Sequence, residues 1–360
     1  MVNHPFRQAS ARVARTDSIT QAEESDYDPN NLLFQAVAKR RFGLSTCFLC
    51  GRRLGIRNRS DEHVIPRWVQ DRFGLWNERL NLLNGSSIPY RQLTVPCCRT
   101  CNNVHLSQIE NRVRSAVALG FEAARELDQK TWFLWLGKIF YGLLLREYFL
   151  KRDRKSPRTG RIVPRSLIEQ YELHHTMLQA TRLPMVFDPD VPASVLVVPL
   201  SESPEPSARF DFRDSFTLLT ISMRLGDVGI IAALQDGGAQ RTGYFKHLSK
   251  YQSVPLHPLQ FAELTARFFY KASLFARTPK FLLHGDHGAI GVMQMPLGGF
   301  SLKPIFDEWD PAEYANTVAS FLGLPLERVY FPPDQVWSWL DMPDGGVRSI
   351  SFEQQPWPPV

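Results

Sequence analysis

The pattern of apolar and polar positions divides the chain into an irregular start, a long apolar middle and a strand-rich second half. Residues 1–30 are polar and aperiodic, which predicts a flexible or loosely docked arm. From Asn31 the run of Leu32, Leu33, Phe34, Ala36 and Val37 predicts a helix stopped by Gly43. A short helix is expected over 67–74, ending at Gly74, and another over 104–117 with Leu106, Ile109 and Val113 on one face; Asn84-Gly85 reads as a hairpin turn. The most apolar stretch, 131–150, includes Trp132, Phe133, Trp135, Leu136, Ile139, Phe140, Leu143 and Leu144. Lys138 in its middle and Arg146-Glu147 near its end favour a core helix over a membrane span. A helix over 166–180, capped by Ser166, carries His174-His175, which has no acidic or cysteine partner nearby and reads as packing or surface.

Beyond about Leu183 the period changes. Short apolar runs at 194–200, 216–223 and 229–234 predict strands, 258–277 predicts a helix, and 280–283 with 289–295 predict two more strands. The latter pair is joined by His284-Gly285-Asp286-His287-Gly288, where hairpin chemistry accounts for Gly and Asp without a metal. Asp310-Pro311-Ala312-Glu313 starts a helix that Gly323 ends. The pattern is that of an α+β protein.

Composition narrows this picture. A length of 360 residues accommodates two or three domains, and 24 Phe with 8 Trp can fill a sizeable core. A net charge of +6 is compatible with a polyanionic partner without requiring one. No apolar signal core opens the chain and the cysteines read as thiols rather than as a disulfide framework, so a cytoplasmic location is expected. Internal repeats, a glycine-rich phosphate loop and a nucleophile elbow are not found.

The chemistry concentrates in residues 47–112. Cys47-Phe48-Leu49-Cys50 and Cys98-Arg99-Thr100-Cys101 are two Cys-x-x-Cys knuckles, a spacing that lets four thiolates close a tetrahedral zinc site. The fifth cysteine, Cys97, is expected to be a buried neighbour. Between the knuckles lies Glu62-His63-Val64-Ile65-Pro66, and the second knuckle continues into Asn102-Asn103-Val104-His105. Hydrolysing a phosphodiester needs a base that titrates near neutrality and a cation to absorb charge on the phosphorane, roles that suit His and oxygen-ligated Mg2+ or Mn2+. Successive residues of a regular strand face opposite sides, so Glu62 and His63 can share one metal only at a bend or at the strand margin.

Over residues 44–115 these motifs resemble the zinc-stapled HNH endonucleases, in which a ββα-metal unit sits between two knuckles. The resemblance implies a treble-clef-like N-terminal domain with a structural zinc on Cys47, Cys50, Cys98 and Cys101. It implies His63 as general base, Glu62 and Asn102 as ligands of a catalytic Mg2+ or Mn2+, and His105 near the metal or the scissile phosphate. Glu62 stands where the family usually has Asp. The family's middle Asn is replaced by Arg91-Gln92-Leu93, leaving Gln92, Asn81 or Asn84 to take its part. The expected partner is nucleic acid, double-stranded DNA foremost, with 5′-phosphate and 3′-hydroxyl products. Arg67, Arg91 and Arg99 lie in the motif region, and Lys151, Arg152, Arg154 and Lys155 in a basic loop could grip the phosphate backbone. The domain reading is an arm over 1–30, the nuclease unit over 31–120, and over 121–360 an α+β domain that recognises substrate, binds a partner or regulates. In outline this resembles bacterial defence or mobile-element nucleases. The competing reading is a zinc-stabilised adaptor that binds nucleic acid and cuts nothing.

Overall fold

The computed structural model describes residues 33–36, 43–153, 155–286, 289–298 and 303–353. Strand β1 (Arg59–His63) is followed by helix α1 (Arg67–Arg72), β2 (Arg79–Asn81), β3 (Ser87–Pro89) and β4 (Thr94–Cys98). β1 pairs antiparallel with β4, Arg59 lying opposite Cys98 and His63 opposite Thr94. β2 and β3 form a separate hairpin turned at Gly85, where φ is 76° and glycine is needed. A π-helical turn, Cys101–Leu106, runs into α2 (Ser107–Ala118), and α3 (Phe121–Arg125) leads to α4 (Gln129–Phe149).

Helix α4 is the axis of the molecule. Asp128 caps it by accepting hydrogen bonds from the Thr131 amide at 2.6 Å and hydroxyl at 3.0 Å. Almost every side chain from Thr131 to Tyr148 is buried, the arrangement expected of a helix apolar on all sides. Two of its glycines set what comes near. A Cβ at Gly137 would lie 2.9 Å from the His174 ring, and one at Gly142 would lie 3.1 Å from Val64. α4 is thereby pressed on one side by α6 (Glu172–Leu178), which follows α5 (Arg165–Gln170), and on the other by the residue after His63.

The second half is built on a four-stranded antiparallel sheet. After β5 (Met185–Asp188) come β6 (Ser194–Pro199), β7 (Phe210–Ser215), β8 (Thr220–Leu225) and β9 (Val228–Ala233), in the order β6-β9-β8-β7. Period-2 alternation sends Val195, Val197, Ile230 and Ala232 into one core with α4. Leu196, Val198, Ile231 and Ala233 enter another core. There they meet α9 (Pro258–Ser273), which follows the short α7 (Ala239–Gly243) and α8 (Phe245–Leu248). Being covered on both faces is why these strands read as continuous apolar runs. β10 (Phe281–Asp286) and β11 (Ala289–Gln294) pair antiparallel, with β5 parallel to β11. α10 (Pro311–Leu322) packs on α9, capped by Asp310 and ended by Gly323 at φ 65°. The first core runs without a break from Cys47 through α4 to Val292.

The α+β expectation agrees with this mixture of helix and sheet, and no helix among the described residues is long and apolar enough to cross a membrane. Several local expectations are corrected. Residues 33–36 are irregular rather than helical because the Phe34 amide and carbonyl are both taken by the Gln179 side chain, each at 2.7 Å. The helix expected over 166–180 starts after Pro164, without a Ser166 cap, and breaks at Tyr171, whose hydroxyl turns to the Phe216 carbonyl. The strand expected from Phe216 starts only at Thr220, after a turn with Leu219 at φ 48°, and β7 before it is an unexpected edge strand whose charged residues hid it. Residues 1–32, Arg154, His287 and Gly288 lie outside the described residues.

His174 is fully buried, its Nε2–H donating to the Gly137 carbonyl at 3.2 Å, and burial pushes its pKa down to about 4 from an ordinary 6.5. The folded state therefore favours the neutral ring, and its contribution is complete above pH 6.5 and lost as pH falls toward 4. We expect urea unfolding to lose about 3 kcal/mol from this group between those limits. In His174→Gln, which keeps a donor but does not titrate, that part of the pH dependence should disappear; equal slopes in the two proteins would refute the assignment.

Candidate metal centre and active site

Both knuckles are tight turns: the second continues from the end of β4, and the first is held beside it by the Phe48 amide donating to the Pro96 carbonyl at 2.9 Å. The Cys47 amide donates to the Arg52 carbonyl at 2.8 Å and the Gly51 amide to the Cys47 carbonyl at 3.0 Å. At the other knuckle the Cys101 amide points at the Cys98 sulfur, 3.4 Å away. The Sγ atoms of Cys47, Cys50, Cys98 and Cys101 all lie within 4.8 Å of one another and all four residues are buried. Cys50 and Cys98 are 3.7 Å apart. A tetrahedron with Zn–S bonds of about 2.3 Å has edges of roughly 3.8 Å, so this soft donor set fits zinc.

The thiols of the cluster shift one another in opposite directions. Hydrogen bonds from Cys101, Cys50 and other cluster thiols hold Cys47 far below the usual thiol range, and Cys101 foremost lowers Cys98 to about 7. Cys50 and Cys101 are raised by the same neighbours, so all four ionise together only when a metal compensates them. Cys97 is buried, 3.9 Å from Cys47, and burial keeps its thiol protonated.

The centre is braced from the second half of the chain. His175 donates its Nε2–H to the Phe48 carbonyl inside the first knuckle at 2.7 Å. Arg182, buried and bonded to Gln179, lies within electrostatic reach of the four thiols. The sequence left His175 as packing or surface; it is buried, and nothing in the sequence showed what it packs against.

His63 ends β1 half-buried, 5.9 Å between ring centroids from Trp76, and the Arg67 guanidinium lies 5.4 Å from the centre of that indole. Burial first, then the charges of Lys138 and Arg67, lower the His63 pKa against the opposite pull of Glu110 and Asp61. The imidazole is therefore neutral near pH 7 and able to accept a proton. The backbone after it is held by the Val64 amide donating to the Leu93 carbonyl at 2.8 Å. Among the stand-ins for the middle Asn, Gln92 and Asn81 are exposed, and Asn84 sits at the β2–β3 turn with its amide on the Arg152 carbonyl.

Glu62 points to the other face of β1. Its carboxylate meets the ammonium of Lys138 from α4, which also donates to Glu110 Oε1 at 2.6 Å and to the His63 carbonyl at 2.9 Å. Burial pushes Glu62 up to about 7 against the pull of Lys138, whose own charged form is maintained against burial by Glu110 and Glu62. Asn102 turns elsewhere, its Nδ2 donating to Ser60 Oγ at 2.9 Å and to the Asp61 carbonyl at 3.4 Å. Glu62 and Asn102 are thus held by different partners and do not fit as they stand around a divalent ion. Among the described residues, the four thiols are the one set of three or more His, Cys, Asp and Glu side chains able to converge on a metal. His105 is half-buried on the π-helical turn.

Of the cations expected to meet nucleic acid, Arg67 and Arg99 are exposed beside the motif, and Arg67 also reaches Asp71 at 3.7 Å. Arg91 is engaged by Asn77 and the Trp76 carbonyl. Lys151, Arg152 and Lys155 are exposed on the basic loop. Sequence reasoning missed Trp76, Glu110 and the pairing of Lys138. A signal for the last was present: a lysine amid an otherwise apolar buried helix must find counter-charges, although nothing local says which. Comparison of the chain with protein-family models, with curated proteins and with solved structures finds no match.

Purified protein is expected to carry stoichiometric zinc by elemental analysis. Cys98→Ser should lose the metal and about 3 kcal/mol or more of stability, whereas Cys97→Ser should retain the metal in full. Zinc loss from both variants alike would contradict the ligand assignment.

Proposed function

We propose that the protein is an HNH-type endonuclease that hydrolyses phosphodiester bonds in nucleic acid, with His63 as the general base. The observation that carries this reading is His63 itself: a neutral, half-buried imidazole at the end of a strand tied to a four-thiol centre, with the exposed cation Arg67 near it. In this scheme a water hydrogen-bonded to His63 loses a proton to the ring and attacks phosphorus in line, the opposite P–O3′ bond breaks, and the leaving 3′ oxygen takes a proton from solvent, while Arg67 faces the charge that develops on the phosphoryl oxygens. Arg99 and the loop of Lys151, Arg152 and Lys155 offer backbone contacts that are sequence-independent and salt-sensitive. DNA is the preferred substrate, and the zinc serves structure alone.

A second reading, the non-catalytic nucleic-acid adaptor, is favoured by one observation: the Glu62 carboxylate is occupied by Lys138. The two readings part in a plasmid assay. Supercoiled DNA is incubated with protein in Mg2+, in Mn2+ and in a brief chelator treatment, beside His63→Ala, with zinc content followed throughout. The nuclease reading expects nicked or linear product with wild type and a loss of about 100-fold or more in His63→Ala at unchanged zinc. Retarded but uncut plasmid with both proteins would hand the site to the adaptor.

A further inference from the structure

We infer that Lys138 is the resident cation of this site, occupying with its ammonium the place beside Glu62 that the HNH resemblance gives to a divalent metal. In naming that place as a catalytic metal's, the inference rests on the reading above; its test by metal binding does not.

The argument is one of geometry and valence. Lys138 reaches the back of β1 from α4, 28 residues beyond Glu110 and 76 beyond Glu62. Its ammonium has three protons, and three acceptors receive them: Glu62 Oε1, Glu110 Oε1 and the His63 carbonyl. Two carboxylates and a main-chain carbonyl converging on one point are the hard oxygen donors a Mg2+ or Mn2+ site uses. Here the point is taken by a nitrogen that belongs to the chain. Lys138 and Glu62 side chains are 4% and 6% exposed, and Glu110 21%, so water does little to screen the attraction.

Exchange for a free ion is disfavoured by the same burial. A divalent cation entering between the carboxylates would displace the ammonium within a helix whose side chains are buried at nearly every position. An uncompensated lysine there costs several kcal/mol. The hydrogen bond from the lysine to His63 goes to the main-chain carbonyl. Lys138 is therefore a positioning residue: it fixes the backbone that carries the imidazole and ties β1 to α2 through Glu110.

The test is Mn2+ binding to the zinc-loaded full chain, followed by electron paramagnetic resonance in wild type, Glu62→Gln and Lys138→Ala. If Lys138 holds the site, wild type and Glu62→Gln bind Mn2+ alike within about twofold, while Lys138→Ala gains an Mn2+ site at least about tenfold tighter, lost again in Lys138→Ala/Glu62→Gln. Should Lys138→Ala fail to fold, the first pair still decides. Mn2+ binding by wild type that Glu62→Gln weakens about tenfold or more would overturn the inference, as would a folded Lys138→Ala that gains no Mn2+ site. Neither result bears on whether His63→Ala abolishes plasmid cutting, so the fates of the two proposals remain separate.

Discussion

A single buried ammonium holds the first half of this molecule together. Lys138 links α4, β1 and α2 through Glu62, Glu110 and the His63 carbonyl. Removing one member of such a group leaves an unpaired charge in the interior, which typically costs about 3–5 kcal/mol. The net charge of the trio is negative, and its cost is tolerable because every ammonium proton has an acceptor. Val64, next in the chain after His63, packs against Gly142 one turn further along the same helix. The strand end that carries His63 is therefore fixed both by charge and by shape.

The four-thiol centre depends on the rest of the chain in a parallel way. A zinc knuckle is often self-sufficient, yet here His175 and Arg182 reach it from beyond α5, and Gln179 clasps Phe34 just before the first knuckle. Thiolates sharing one metal carry surplus negative charge, and a nearby guanidinium offsets part of it. The consequence is a core continuous from the first knuckle to the sheet.

Much of the architecture was legible in the residues. The burial of α4, the apolar runs of β6 and β9, the α9 helix and the Asp310 cap all follow from hydrophobic pattern and capping chemistry acting over a few residues. β7 was not legible, because Phe210 and Phe212 alternate with charged residues over only four positions before Asp214 and Ser215 end the apolar face, too short a run to announce an edge strand. Nor was the irregular path at Phe34, where a glutamine 145 residues away satisfies the backbone that a helix would otherwise satisfy internally.

At the site the division is the same. The sequence alone indicated which four thiols meet, since each Cys-x-x-Cys is a local turn that offers a pair of ligands. It left open whether Glu62 and His63 face opposite sides of a regular strand or meet at a bend, and the unbroken β1–β4 register gives the first. Only the tertiary structure decided what stands opposite Glu62. Pattern and spacing encode contacts between near neighbours, whereas the partner of a buried charge is chosen by whichever distant helix closes over it, and that choice has no signature in the residues on either side.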